Sequence, residues 1–385
     1  MTLQTDVVIV GGGPIGASLA LLLSASGKCV VLLEARAAGA SDLRTLAISH
    51  GSALLLERLG VSMAALGATA IETIHVSQHG GFGRTRIRAC ETKVPALGYV
   101  ISYGHLTAAL DARLSQSTAV ARYGARVTAV GGTEKYAFAE YTQDAKPAAT
   151  SASLLVLADG GRGVSPLPGI EVREQDYGQH ALVASVTTEP SATTTAYERF
   201  TPRGPLALLP NGRDYALIWT VPTEEAQPLI DKNEEEFLHQ LDEHFGAASH
   251  RFVAIGARAS YPLKLRHAKL TGAKRMVLVG NAAQTLHPVA GQGFNLGMRD
   301  AWTLARTLAD QAADELGSTQ ALARYRAERG LDVRGAVAIT DFLVRAFSND
   351  NPWLSAARGA ALATLDLLPP GRAWFARKMM FGSRG

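Results

Sequence analysis

The chain has 385 residues, 47% of them hydrophobic and 19% charged, a composition that supports a large core and excludes global disorder. Its 38 basic residues exceed the 34 acidic ones by four, too small a surplus over this length to imply a nucleic-acid partner. The two cysteines, Cys29 and Cys90, exclude a disulfide scaffold, and neither stands in a metal-ligand spacing.

No segment approaches the roughly 18–20 uninterrupted apolar residues of a membrane span. The best early candidate, Ala17 to Ser26, is short and carries Ser18 and Ser24, and the first basic residue is Lys28. A secretory leader is therefore not expected, and the sequence predicts a soluble, cytoplasmic protein. The length alone predicts roughly two or three domains.

Asp6 to Val10 is a short apolar run rich in β-branched residues, as suits a strand buried on both faces of a parallel sheet. Gly11, Gly13 and Gly16 follow at the G-x-G-x-x-G positions, with Pro14 and Ile15 between the last two. Ala17 to Ser26 reads as a helix, Gly27 as its stop and Cys29 to Leu33 as a second buried strand ending at Glu34. Gly11 permits the tight turn, Gly13 lets the backbone approach a pyrophosphate, and Gly16 lets helix and strand pack closely. The pyrophosphate meets unpaired N–H groups at the positive end of a helix, and Glu34, ahead of Ala35 and Arg36, can accept from ribose hydroxyls. Glycines often only make turns, but strand, turn, helix, strand and terminal acid occur here in order, which predicts dinucleotide binding. The motif does not separate NAD from FAD.

Ser153 to Leu157 is another apolar strand, ending at Ala158-Asp159-Gly160; alone, it reads as a strand and a turn. Arg275 to Val279 is a strand entering the turn Gly280-Asn281-Ala282-Ala283, which leads to His287-Pro288 and then to Gly291-Gln292-Gly293-Phe294-Asn295. Leu296 to about Leu316 reads as a long helix. A glycine-flanked loop feeding a helix N-terminus offers free N–H donors that stabilise negative charge, as on the N1–C2=O2 locus of a reduced flavin. By itself His287 reads as a hydrogen-bonded loop histidine, and Gly291 and Gly293 as turn formers.

Together these three segments resemble the FAD-dependent aromatic hydroxylases of the p-hydroxybenzoate hydroxylase type. Within that group the chain is similar to the ubiquinone-biosynthesis hydroxylases, especially the 2-polyprenyl-6-methoxyphenol hydroxylase branch, through Val279 to Pro288 and Gly297-Met298-Arg299-Asp300. The resemblance implies an α/β fold: a Rossmann-like FAD-binding domain with an inserted antiparallel β-sheet substrate domain and a C-terminal helical segment. It implies that Gly11, Gly13, Pro14, Ile15, Gly16, Glu34, Ala35 and Arg36 hold the ADP half of FAD. Arg44 matches the family arginine near the flavin and pyrophosphate, and Asp159 and Gly160 match the Asp-Gly motif. Gly280, Asn281, Gly291, Gln292, Gly293, Phe294 and Asn295 would bind the flavin half, with His287, Pro288 and Gln292 at the reacting centre. Most members have Asp where Asn281 stands; Asn accepts through its carbonyl oxygen but lacks the charge. Either Tyr103 or His105 would add a flavin contact.

The resemblance further implies NAD(P)H as a transient electron donor, dioxygen, a flavin C4a-hydroperoxide and hydroxylation of the ring of a prenylated phenol. The phenol supplies the reactivity, which fits the lack of a Ser/His/Asp or metal constellation. Other ubiquinone-biosynthesis proteins are implied as partners. A flavin hydroxylase of a small soluble aromatic and a non-catalytic FAD-fold protein that holds a prenyl lipid are the rival readings.

Residues 1–72, 101–172 and 263–345 are expected to form the discontinuous FAD-binding domain, and 73–100 with 173–262 the sheet domain, from alternating runs such as Ala181 to Thr187, Tyr197 to Phe200 and Tyr215 to Val221. Tyr261-Pro262-Leu263 would lead back to the first domain. Glu234 to Phe245 reads as a charged surface helix, and Ala145 to Ser151 as a hairpin loop. The segment 346–385 mixes Arg358, Arg372, Arg377, Lys378 and Arg384 with Trp353, Trp374, Phe375, Met379, Met380 and Phe381. Such a helix can lie on anionic lipid at the inner face of the membrane or pack on a partner; a terminal helix packed on its own core is the expected reading.

Overall fold

The computed structural model describes residues 5–37, 44–161, 163, 170–246, 251–268, 271–287, 291–347 and 351–382. The apolar runs read from the sequence converge in one parallel layer, in the order Met276–Leu278, Lys146–Leu157, Thr5–Val10, Val30–Glu34, Val120–Tyr123. The opening strand lies in the middle, Val7 facing Leu154 on one side and Val30 on the other. Its Val7, Val8 and Ile9 are fully buried, because both faces of the layer are covered. Ile9, Leu32 and Val156 pack with Leu19 and Leu23 of the helix Pro14–Ala25 and Leu304 and Leu308 of the helix Gln292–Leu308. Val8, Leu33 and Leu157 pack with Ala139 and Tyr141 on the other face.

Several local expectations shift. The first helix begins at Pro14, directly after Gly13, since proline's fixed φ suits the first helical position. The long helix starts at Gln292 and stops at Leu308, and a separate helix runs Thr319–Phe347. The loop expected over 145–151 is instead the start of the twelve-residue strand Lys146–Leu157, paired with Ala137–Gln143. The turn is only Asp144 and Ala145, both at positive φ, the backbone of a tight two-residue hairpin.

The second sheet runs Gln284–Thr285, Ala259–Ala268, Val172–Glu189, Asp214–Pro222, Gly204–Asn211, Thr195–Thr201, Thr73–Gln78, Arg84–Arg88. It is antiparallel except where Thr195–Thr201 lies parallel to Thr73–Gln78. Tyr261, Pro262 and Leu263 sit inside the Ala259–Ala268 strand rather than in a return link. One face of the sheet is capped by Thr223–Asp231 and Glu234–Phe245, with Trp219 edge-on to Phe237 at 5.7 Å. The second of these helices is the expected charged one: Asn233 accepts from the Glu236 N–H and three glutamates fill the first turn, opposite the helix dipole. A small sheet of Thr45–Ser49, Gly98–Ser102 and Thr69–Ile71 lies between the layers.

Two C-terminal helices, Pro352–Leu367 and Pro369–Phe381, close the chain. The inner side of the second is packed on its own core: Ala376 and Met380 meet Ile87, Ala89 and Leu97, and Arg372 is paired with Glu91. Among the described residues no helix is long and apolar enough to cross a membrane.

Candidate active site

The glycines of the first turn divide by what surrounds them. A Cβ at Gly11, whose φ is +101°, would lie 2.7 Å from the Ala158 carbonyl and the Asp159 Cα. One at Gly16 would lie 1.9 Å from the Gly11 oxygen. These two serve close packing of backbone on backbone. Gly13 differs: a Cβ there would meet only the Tyr103 hydroxyl, at 3.5 Å. Gly13 is also the residue before the helix, with no side-chain cap, so N–H groups of the first turn are left for a ligand. The space over Gly13 thus matches a backbone that admits a phosphate group.

Glu34 folds back over this turn. Its carboxylate accepts from the Gly12 N–H and, at 2.7 Å, from the Arg36 N–H, and each oxygen keeps acceptor capacity for a further donor. Ala35 is exposed between them. Arg36 is held by two 2.9 Å bonds to Asp111, which also accepts from the Tyr123 hydroxyl at 2.7 Å. Arg44 lies over the Tyr103 ring, 4.6 Å from its centroid. Of the two residues left open for a flavin contact, Tyr103 stands at the turn, whereas exposed His105 faces the Leu66 carbonyl at 3.4 Å.

The second corner is joined to the first through Ile15. A Cβ at Gly297 would lie 3.0 Å from Ile15 Cδ1, and one at Gly280 3.4 Å from Ile15 Cγ1, so two uncapped helix N-termini, at Pro14 and at Gln292, stand side by side. Gly291 is left-handed with φ +58°, a conformation that favours glycine, and rests on Ala47. A Cβ on Gly293 would find only the exposed Asn281 Oδ1, at 4.0 Å, and one on Gly160 nothing within 4 Å. Asp159 closes its own turn, accepting from Gly161 and Gly163 N–H groups at 2.9 and 2.8 Å. Among the described residues, the open glycines, the first-turn N–H groups without a side-chain cap and the Glu34 acceptor form a donor and acceptor set that fits FAD.

The remaining site residues fall into different places. Asn295 is turned inward: its Oδ1 accepts from the Ser49 N–H and the Ser52 hydroxyl, both at 2.8 Å, and its Nδ2 donates to the Gly291 carbonyl at 2.9 Å. It therefore ties down the corner, where the resemblance had implied contact along the flavin. Phe294 packs on the core beneath the parallel layer, and Gln292 is buried at the helix start. His287 is buried edge-on to Tyr177 at 5.4 Å, and burial pushes its imidazole down to about 4. Burial therefore favours its uncharged form at neutral pH. Pro288 lies outside the described residues.

Asp300 escaped the sequence reading of roles. It is buried, accepts from the Gly280 N–H at 3.0 Å and Gln284 Nε2 at 2.6 Å, and binds Arg329 Nε at 2.7 Å. Arg329 in turn contacts Asp332, which binds Arg299 at 2.9 Å. The signal was present: a carboxylate at the four-residue spacing of Leu296 and Leu304, on the apolar stripe of its helix.

Comparison with known proteins agrees with this geometry. A family described as an FAD binding domain matches residues 4–340. Ubiquinone hydroxylase UbiL of Rhodospirillum rubrum is 34% identical over 97% of this chain and 89% of its own length. The 3-demethoxyubiquinol 3-hydroxylase of Escherichia coli is 30% identical over 93% of this chain and 94% of its own. Among solved structures, p-nitrophenol 4-monooxygenase PnpA from Pseudomonas putida superposes with a TM-score of 0.79 at 20% identity, covering 100% of this chain and 99% of that one.

Proposed function

Since the chain belongs to the FAD-binding-domain family of monooxygenases, we propose that it uses the site just described to hydroxylate the ring of a polyprenylated phenol on the route to ubiquinone. FAD, when bound, supplies the redox chemistry, taking electrons from transiently bound NAD(P)H and delivering oxygen from O2 to the ring. The chain's own residues do the rest. Gly13 and the free N–H groups after it receive the pyrophosphate, while Glu34 and Arg36 border the ribose. The Gln292 helix N-terminus, with Gly293 open beside it, stabilises negative charge on the flavin ring. Asn281 accepts from the ribityl chain, and neutral His287 gives the corner a hydrogen-bonding wall without a competing charge. In this reading the parallel layer is the FAD-binding part and the antiparallel sheet the substrate part.

The observation that carries the reading is the pair of uncapped helix N-termini wedged together by Ile15 beside open glycines. The test uses purified protein. A yellow protein whose NADPH and oxygen consumption rises on adding a prenylphenol, with one hydroxylated product, supports it. A colourless protein, or one unmoved by prenylphenol, overturns it.

A peripheral contact with the inner face of the membrane belongs to the same proposal. The outward side of Pro352–Leu367 exposes Trp353 and Leu354, Ala357, Ala360, Ala361 and Leu367, with exposed Leu368 just beyond its end, while its Arg358 and Asp366 turn to Gln78 and the Arg86 N–H. Tryptophan on an apolar stripe suits the lipid interface. Trp353→Ser should lower co-sedimentation with anionic vesicles; equal co-sedimentation of both proteins removes this contact.

A further inference from the structure

We propose that Glu198 anchors the ring hydroxyl of the substrate, at one end of an apolar row on the face of the antiparallel sheet turned away from the helices Thr223–Asp231 and Glu234–Phe245. The inference rests on the hydroxylase reading above. Along Thr195–Thr201, Tyr197 and Arg199 point to the helix-covered side, where they meet Phe245. Ala196 and Glu198 therefore point the other way. Ala196 packs with Val100 and Ile71 of the small sheet. Val100 pairs with Ala47, the residue on which Gly291 rests. The Glu198 face thus abuts the strands beneath the flavin corner.

The register places five residues in line across five strands. Val76 faces Glu198, Glu198 faces Ala207, Ala207 faces Ile218, and Ile218 faces Val183. At about 4.8 Å per strand, the three steps from Glu198 to Val183 cover about 14 Å. Glu198, Val76, Ile218 and Val183 are each only partly buried, although the face looks into the molecule, and the helix Thr319–Phe347 passes against the strand Gly204–Asn211 that carries Ala207. An apolar floor with a carboxyl near one end has the polarity of a phenol bearing a long hydrocarbon substituent.

Among the described residues the Glu198 carboxyl has neither a hydrogen-bond nor an ion-pair partner, and burial alone pushes it up to about 8. A half-buried carboxyl with no partner among the described residues, set in an otherwise apolar row, offers its oxygens as acceptors to a ligand. A phenol is such a ligand. The hydroxyl donates to a Glu198 carboxyl oxygen, which accepts through its lone pairs.

The test compares 2-geranylphenol with its methyl ether, titrated calorimetrically into the FAD-loaded protein. Wild type should bind the phenol at least ten-fold tighter than the ether, which cannot donate. Glu198→Leu should bind both alike, and Glu198→Gln, which keeps an acceptor, should recover part of the preference. The leucine variant replaces an unpartnered carboxyl with an apolar group, so it should fold and hold FAD as wild type does. Ala207→Leu, which fills the floor beside the carboxyl, should weaken both ligands. A leucine variant that keeps the full preference, or a wild type that binds phenol and ether equally, overturns the role of Glu198 and leaves the hydroxylase reading standing. A wild type that binds neither overturns both.

Discussion

Alanine at Gly13 and alanine at Gly16 should fail in opposite ways. At Gly16 the new methyl would stand 1.9 Å from the Gly11 oxygen and 3.2 Å from the Ala158 Cβ. These are backbone and a core side chain, so the first helix must lift from the parallel layer. Overpacking of this kind costs about 1–3 kcal/mol, which for a chain of 385 residues is a fall in Tm of about 1–4 °C. At Gly13 the backbone, with φ −62° and ψ 173°, is one that alanine adopts freely, and the methyl would meet only the Tyr103 hydroxyl at ordinary contact distance. FAD-free Gly13→Ala should therefore match wild type within about 0.5 kcal/mol. It should nonetheless lose at least ten-fold in FAD affinity, because the methyl occupies the approach of the pyrophosphate. Thermal unfolding of the FAD-stripped proteins gives the first quantity and quenching of flavin fluorescence gives the second. Gly13→Ala binding FAD within two-fold of wild type, or Gly16→Ala melting with wild type, would refute the division of the glycines into packing and ligand positions.

Three other outcomes follow from the site. Asp300→Ala strips the Gly280 N–H, Gln284 and Arg329 of a buried acceptor at once and should cost about 3 kcal/mol in urea unfolding; an unchanged midpoint would mean the brace holds nothing. His287 titrates at about 4 when folded against about 6.5 unfolded, so its stabilisation is complete above that value and erodes as pH falls toward 4, by up to about 3 kcal/mol. His287→Gln should lose less stability than wild type between pH 7.5 and pH 5, and parallel losses would contradict the burial of the ring. Asn295→Ala frees the Ser49 N–H and the Gly291 carbonyl and should weaken FAD retention more than it lowers Tm; the reverse order would make Asn295 a packing residue alone.

The parts of the molecule legible in the sequence were those written in short-range pattern. Val7 to Val10 and Leu154 to Leu157 announce strands because no half-exposed strand tolerates so unbroken an apolar run. Gly11 and Gly16 announce a crowded turn through their spacing. What was not legible depends on partners distant along the chain. Asn295 is directed inward by Ser49 and Ser52, about 245 residues away; without them a polar residue in a glycine loop reads as a ligand contact. The hairpin at Asp144 and Ala145 was misplaced because neither residue is glycine, although both take positive φ. Glu198 alternates with Tyr197 and Arg199 in a strand whose two faces look equally polar by composition. Only the helices over Phe245 decide which face turns to the interior.

The central place of Thr5–Val10 also sets the order in which the protein can be made. This strand leaves the ribosome ahead of both its neighbours, and Val30–Glu34 follows at once to cover one edge. The other edge waits for Lys146–Leu157, which at roughly 5–20 residues per second leaves it open for roughly 7–30 s. Through that interval a strand of threonine, aspartate and four β-branched aliphatics presents unpaired amides to every other nascent chain nearby. Chaperone supply during synthesis should therefore govern the yield of this protein more strongly than the equilibrium stability of the finished fold.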